Sequence, residues 1–233
     1  MSRFAALDLG RVVAAHGRHY LVESPEGERT ICHPRGKKSE AVVGDWVRWQ
    51  ATGDEGVIEH IEPRRNLLHR QDEWKTKSFA ANLDQVLVIV AGEPMFSESQ
   101  LARALIAADS AGIDAHVLLN KCDLPQAAAA RARLAPYRAM GVPVHETAMK
   151  TAPQPARALL EPLLAGRTTL VLGPSGMGKS TLINLMVPGA AAQTGEISAA
   201  LNTGRHTTTT TTWYWLDASR QSALIDSPGF QEF

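Results

Sequence analysis

The stretch TTLVLGPSGMGKSTLINLM, Thr168 to Met186, runs from an apolar strand through a glycine-rich loop into a helix. Its centre, Gly173 to Ser180, fits Gly-x-x-x-x-Gly-Lys-Ser, and the strand-loop-helix setting is the one in which that pattern holds phosphate. Glycines let backbone N–H groups converge on an anion without a Cβ in the way, and the following helix adds its positive N-terminal end. Lys179 would neutralise the outer phosphates of a nucleotide, and the Ser180 hydroxyl would bind Mg2+. A loop of this kind belongs to a doubly wound α/β sheet.

The flanking sequence agrees. Upstream, QVLVIVAGE, DAHVLLNK and VPVHETA read as strands, alternating with the helical stretches SESQLARALIAADSAG, AAAARARLAPYRAMG and PARALLEPLLAG. The first helix opens on a capping pattern at Ser97, with Leu101, Leu105, Ile106 and Ala108 as its apolar residues. The second is expected to break near Pro136. Downstream, GAAAQTGEISAALNTGRH reads as mostly loop, and TTTTTTWYWLD and SALIDSPG as two further strands, making six.

Before Asp84 the grammar differs. From Gly10 to about Glu62, short alternating runs broken by Gly, Pro and Asp predict four or five antiparallel strands, a small barrel of OB type. The segment PRRNLLHRQDEWKTKSFAAN, Pro63 to Asn82, lacks periodicity in its second half and reads as a linker and mobile loop with a weak basic patch. The expected domains are residues 1–70 for the barrel, 71–83 for a connector and 84–233 for the α/β domain.

Composition narrows the function classes. Lysine plus arginine equals aspartate plus glutamate at 24 each, so any nucleic-acid contact must come from a local patch. The two cysteines, Cys32 and Cys122, stand in no CxxC spacing and suggest a reducing compartment. No apolar run approaches the roughly 20 residues of a membrane span. The expectation is a cytoplasmic monomer with no membrane and no DNA partner.

Two more motifs complete a nucleotide site. In Asn120-Lys121-Cys122-Asp123, the Asp123 carboxylate can accept from N1 and N2 of guanine, Asn120 can bond its Hoogsteen edge, and Lys121 can cover its face. Adenine lacks that donor pair, so the motif selects GTP over ATP. Asp226-Ser-Pro-Gly229 follows a short strand; Asp226 would reach the metal through water and the Gly229 amide would face the γ phosphate. One of Thr207, Thr208 or Thr209, with Thr208 favoured, would be the switch threonine on Mg2+. The later threonines of the run read as strand.

The order of the three motifs, NKxD, then GxxxxGKS, then DxxG, marks circularly permuted GTPases. With the barrel and GRHTTT, the chain resembles the ribosome small-subunit-dependent GTPase A family of bacteria. The resemblance implies an OB-fold, a permuted G domain and a small zinc domain, acting in late maturation of the small ribosomal subunit. It places guanine binding on Asn120, Lys121, Cys122 and Asp123, and phosphate binding on Gly173, Pro174, Ser175, Gly176, Met177, Gly178, Lys179, Ser180 and Thr181. Thr147 and Ala148 stand where the family has its fifth, Ser-Ala-like motif. The zinc ligands have no counterpart before Phe233, so a fragment is expected.

Where Ras-like GTPases carry a water-orienting glutamine, this chain has Phe230, which predicts slow intrinsic hydrolysis. The missing group must come from another residue, with His206 the candidate, from a partner or from the ribosome, and the family resemblance implies ribosome-stimulated turnover. The barrel would contact rRNA, by backbone electrostatics and by stacking on Trp46, Trp49 or Tyr20. Two competing readings are a catalytically incompetent guanine-nucleotide and rRNA-binding fragment, and an ATP-using protein with an accidental NKCD.

Overall fold

A computed structural model of the chain describes residues 4–36, 40–71, 76–201 and 210–227. They fall into two units: Met1–Asn82 with Ala191–Trp213, and Leu83–Ala190 with Tyr214–Phe233.

In the first unit the alternating runs form β1 (Asp8–His16), β2 (His19–Glu23), β3 (Arg29–Pro34), β4 (Trp46–Thr52) and β5 (Glu55–Ile61). The ladders β1–β2, β2–β3, β5–β4 and β4–β1 are antiparallel, β3–β5 is parallel, and together they close a five-stranded barrel. Tyr20, Val22, Cys32, Val47, Trp49 and Ile58 fill it. Burial, with Glu55 adding, pushes the Cys32 thiol up to about 12, so it packs as a small apolar group. Tyr20 and Trp49, offered above as stacking platforms, are 2% and 9% exposed and belong to the core; Trp46 is half-buried.

The linker is not a loop. β6 (Leu67–Gln71) and β7 (Thr76–Ala81) pair as an antiparallel ribbon with a register shift between Leu68 and His69. That irregularity breaks the two-residue period, which is why the alternation could not be read. Leu68, Phe79, Ala80 and Ala81 are buried. The ribbon is tied to the barrel by Ala81 N–H donating to the Val43 carbonyl at 3.0 Å. A Cβ on Gly44 would sit 2.1 Å from the Ala81 carbonyl oxygen, at a φ of +95°, so only glycine allows this approach. Arg64, from the basic patch of that segment, grips the fully buried Asp45 with two bonds of 2.7 and 2.8 Å.

The second unit alternates strand and helix: β8 (Gln85–Ala91), α1 (Glu98–Ser110), β9 (Asp114–Asn120), α2 (Ala127–Ala139), β10 (Val144–Glu146), α3 (Pro153–Leu164), β11 (Thr168–Leu172) and α4 (Lys179–Met186). Beyond α4 come α5 (Ala190–Ala200), which lies in the first unit from Ala191 on, β12 (Thr211–Trp215), of which Thr211 to Trp213 belong to the first unit, where the strand pairs antiparallel with β1, and β13 (Ala223–Asp226), which belongs to the second. Strands β10, β9, β8, β11 and β13 lie side by side, all parallel. Every residue of β8 is buried, as expected for a central parallel strand covered on both faces.

Three local expectations are corrected. Ser97 caps α1 by accepting from Gln100 N–H at 3.3 Å, but the helix buries Leu101, Ala104 and Ala108 and leaves Ile106 64% exposed. α2 runs through Pro136 without a break; the proline forgoes the one bond its N–H would have made to the Ala132 carbonyl, and the following turn still closes, Met140 N–H donating to the Pro136 carbonyl at 3.0 Å. The segment read as loop after Gly189 contains α5, whose Ile197 is buried. Its alanines favour helix, while Thr194 and Gly195 obscured it.

Candidate nucleotide site

A parallel sheet brings the carboxyl ends of its strands to one edge, and ligands bind there. Asn120 ends β9, Gly173 follows β11, Asp226 ends β13 and Thr147 follows β10. The motifs, scattered over a hundred residues of chain, therefore share that edge. In the registers, Asn120 stands opposite Ala91 of β8 and Asp226 opposite Val171 of β11.

Asn120 is the joint between loops. It is 4% exposed; its Nδ2 donates to the Met177 carbonyl at 2.9 Å, and its Oδ1 accepts from Met149 N–H at 3.2 Å and Thr147 Oγ1 at 3.4 Å. One amide thus links the glycine-rich loop to the segment after β10. Two backbone bonds reinforce it: Thr147 N–H to Leu119 at 2.8 Å and Cys122 N–H to Thr147 at 3.0 Å. Gly178 makes the contact possible. Its φ is +115°, and a Cβ there would come within 2.3 Å of Asn120 Nδ2.

Beyond Asn120 the chain turns sharply. Lys121 has φ of +61°, a left-handed conformation that costs a β-carbon residue about 1–2 kcal/mol, and its Nζ donates to the Glu93 carbonyl at 2.7 Å. Cys122 donates its thiol to Leu119 O at 3.3 Å, and burial, then Glu146, pushes its pKa up. It is a packing thiol. Asp123 is exposed at the rim. Ala148 is half-buried beside Thr147, which is 6% exposed.

In the loop itself, Gly173 and Met177 are buried, Pro174, Gly178, Lys179 and Thr181 are intermediate, and Ser175, Gly176 and Ser180 are open. Lys179 donates to the Ser227 carbonyl at 3.3 Å. Asp226 lies close by: burial raises its pKa while Lys179 opposes the rise. Its Oδ1 is buried and has no hydrogen-bond partner among the described residues. A carboxylate oxygen withdrawn from water beside a lysine suits a hard cation with its water shell, and the donor set of Asp226 and the Ser180 hydroxyl is all oxygen, as Mg2+ requires. His206, Thr207, Thr208, Thr209, Gly229 and Phe230 lie outside the described residues.

Sequence reasoning did not foresee Met149, Met177 as a carbonyl acceptor, Glu93 or Ser227. All four contribute backbone atoms, which leave no mark in residue type.

Comparison with known proteins matches residues 61–233 to the RsgA GTPase family. The chain belongs to that family. Among RsgA relatives, the small ribosomal subunit biogenesis GTPase RsgA of Variovorax paradoxus (strain S110) is 64% identical over 225 residues, 96% of this chain and 71% of its own length. The protein of the same name from Burkholderia pseudomallei (strain K96243) is 59% identical over 227 residues, with 96% and 72% covered. Of solved structures, YjeQ from Thermotoga maritima superposes with a TM-score of 0.66 at 29% identity, covering 96% of this chain and 75% of its own. YloQ, described as a circularly permuted GTPase, gives 0.61 at 25% identity, with 99% and 74% covered. This RsgA-family chain is accordingly a GTPase, built as an OB-type barrel and a circularly permuted P-loop domain.

Proposed function

We propose that this chain binds GTP with Mg2+, hydrolyses it slowly alone and faster on the small ribosomal subunit, and assists late maturation of that subunit in the cytoplasm. The names of its relatives, small ribosomal subunit biogenesis GTPases, support the partner. The observation that carries the nucleotide reading is Asn120, whose one side chain joins the glycine-rich loop to the segment after β10. Residues 1–70 serve as the rRNA-facing barrel, 71–83 as the connector and 84–233 as the G domain, and the protein acts as a monomer. Among the described residues no helix is long and apolar enough to cross a membrane.

In this reading Gly173 to Thr181 wrap the phosphates with backbone N–H groups, and Lys179 neutralises the charge that grows on them. Asp123 takes the guanine N1 and N2 protons, Lys121 covers the ring, and Asn120 holds the Hoogsteen edge while keeping the loops together. Thr147 and Ala148 close the base pocket. Ser180, Thr208 and Asp226 would hold Mg2+, which supplies neutralisation of the β and γ oxygens. In this reading Gly229 senses the γ phosphate, and His206 is the residue assigned to order the attacking water. The position directly after the DSPG motif is Phe230 and not a glutamine.

Phosphate release from GTP and from ATP, with and without purified small subunits, tests the reading. Turnover of GTP alone, stimulated by subunits, is expected. GTP binding with no phosphate under any condition would leave a non-catalytic guanine-nucleotide module instead, and ATP outcompeting GTP would overturn the base assignment.

A further inference from the structure

Of the eight histidines in the chain, two lie in the second unit, His116 on β9 and His145 on β10. The two strands pair in parallel, Val144 opposite Val117, His145 opposite Leu118 and Glu146 opposite Leu119. His116 is two residues before Leu118, so both imidazoles stand on one face of the sheet. His116 Nδ1 lies 3.1 Å from His145 Nε2, with the ring centres 5.3 Å apart and the ring planes 20° apart. That is the separation reached when the two nitrogens lie on the line between the centres. The rings therefore meet edge to edge and share one hydrogen bond.

A bond between two imidazole nitrogens holds one proton. A neutral ring offers one donor and one acceptor, whereas a protonated ring offers donors only. The pair keeps its bond with no net charge or with one; a second charge sets N–H against N–H and brings two cations into contact. The charged side chains that act on the rings are Asp114 of β9, Arg138 of α2 and Arg167 before β11. Burial, then the facing ring and Arg167, lowers the pKa of His116 against an upward pull from Asp114, and burial, then Arg138, lowers that of His145. Glu146, next along β10, is taken up by Arg131 and Arg138 at 2.8 Å each. Because the bonding proton is shared, the two rings titrate as a unit.

What this bond fastens gives it its importance. β10 is three residues long and stands at the end of the sheet, with β9 its one strand neighbour among the described residues. It leads directly into Thr147, whose N–H donates to Leu119 and whose carbonyl accepts from Cys122, and on to Met149, whose N–H donates to Asn120. A short edge strand has few ladder bonds to resist repulsion, so a push between the rings is felt by the segment that follows.

We propose that His116 and His145 are positioning residues for guanine nucleotide: their shared bond holds β10 on β9, and with it Thr147, Ala148 and the Met149 contact to Asn120, while a second proton on the pair loosens that segment and weakens binding. The inference rests on the guanine-nucleotide reading above. Burial and the facing charges favour neutral rings in the closed segment, so affinity is full above the ordinary histidine value of 6.5. It falls as the pH drops below that value and levels off once the closed pair is itself doubly protonated. The coupling is reciprocal, so bound nucleotide must hold protons off the pair.

The test compares wild type, His116→Asn, His145→Gln and His145→Ala in the full chain, by fluorescent GDP titration without Mg2+ at about pH 8 and about pH 5.5, either side of the ordinary histidine range. An Asn amide replaces Nδ1 and a Gln amide replaces Nε2, so each variant can make the bond and neither can gain the charge. The nucleotide's own phosphate titrates in the same range, so the reading is the difference between wild type and variants. At the higher pH His145→Ala should bind GDP about threefold to tenfold more weakly, and His145→Gln should restore most of the loss. On going to the lower pH the wild type should lose about fivefold more affinity than His116→Asn or His145→Gln. The imidazole NMR signals of the pair should titrate at lower pH with GDP bound than without it. One common pH dependence for wild type and His145→Gln overturns the proposal, as does a titration of the pair that GDP leaves unmoved, or an acid loss that coincides with unfolding by circular dichroism. If the wild type binds no GDP at either pH, the nucleotide reading falls and takes this inference with it; if it binds and only the histidine-dependent difference is missing, the inference falls alone.

Discussion

Replacing Asn120 with alanine removes the side chain that joins the glycine-rich loop to the segment after β10. It deletes a 2.9 Å bond to the Met177 carbonyl and a 3.2 Å bond from Met149 N–H. Met177 and Met149 are each 2% exposed, so water cannot replace what is lost. An orphaned buried polar group costs about 1–3 kcal/mol, and two of them with partial relaxation give a total of about 2–4 kcal/mol. Thr147 Oγ1, at 3.4 Å, adds little. If half of that total is felt only when the loops must close around a ligand, GDP affinity falls about tenfold, and toward a hundredfold if most of it is. The rest lowers the melting temperature by several degrees, since about 1 kcal/mol is worth roughly 2–4 °C in a chain of this size. Fluorescent GDP titration and thermal melts of the purified variant read both. Thr147→Ala is the internal comparison, expected to weaken GDP by less than about threefold because its contact is long. Asn120→Ala with GDP affinity within twofold of wild type, or Thr147→Ala with the larger effect, would refute the reasoning.

Gly178→Ala should be more damaging to nucleotide affinity than Asn120→Ala, because its Cβ would lie 2.3 Å from Asn120 Nδ2 at a φ of +115°; the same titration measures it. Asp226→Asn should raise the melting temperature of the nucleotide-free protein near pH 7 while abolishing Mg2+-dependent turnover. The sign follows from a carboxyl whose pKa is raised by burial: its ionisation opposes folding above the ordinary aspartate range. The gain should therefore vanish as the pH falls below that range, where aspartate is neutral in both states, and a melt series in pH checks this. Arg64→Ala strips the partner from fully buried Asp45 and should cost about 3 kcal/mol in a denaturant titration, with GDP affinity unchanged.

The parts of the fold that were legible are those in which local chemistry and tertiary setting say the same thing. β8 is buried at every position and apolar at all but Gln85, because both its faces are covered, and Asp226 ends β13 as its motif required. The glycine-rich loop needs its residue types whatever surrounds it. Elements were missed where a tertiary partner does the deciding. β6 and β7 carry a bulge and polar residues, and pairing stabilises what periodicity does not announce. α5 lacks a polar–apolar contrast and is held by Ile197 and Leu201, both buried. Pro136 gives up one backbone donor without ending α2, which runs on to Ala139. In the candidate site, the residue types of the NKCD motif were readable, but the bond from Asn120 to Met177 spans 57 positions and ends on a carbonyl that every amino acid possesses.

The ladder between β1 and β12 also bears on how the chain is made. Ala14 and Ala15 emerge from the ribosome long before Thr211 and Thr212. The barrel's five strands can close before then, yet that stretch of β1 is left with an open row of backbone donors and acceptors while the intervening residues are translated. Contacts so distant in sequence form late, and an open strand edge invites pairing with other chains. Nascent chains stopped before Thr211 should therefore be more prone to aggregation than chains stopped just after Trp215, even though both carry the complete barrel.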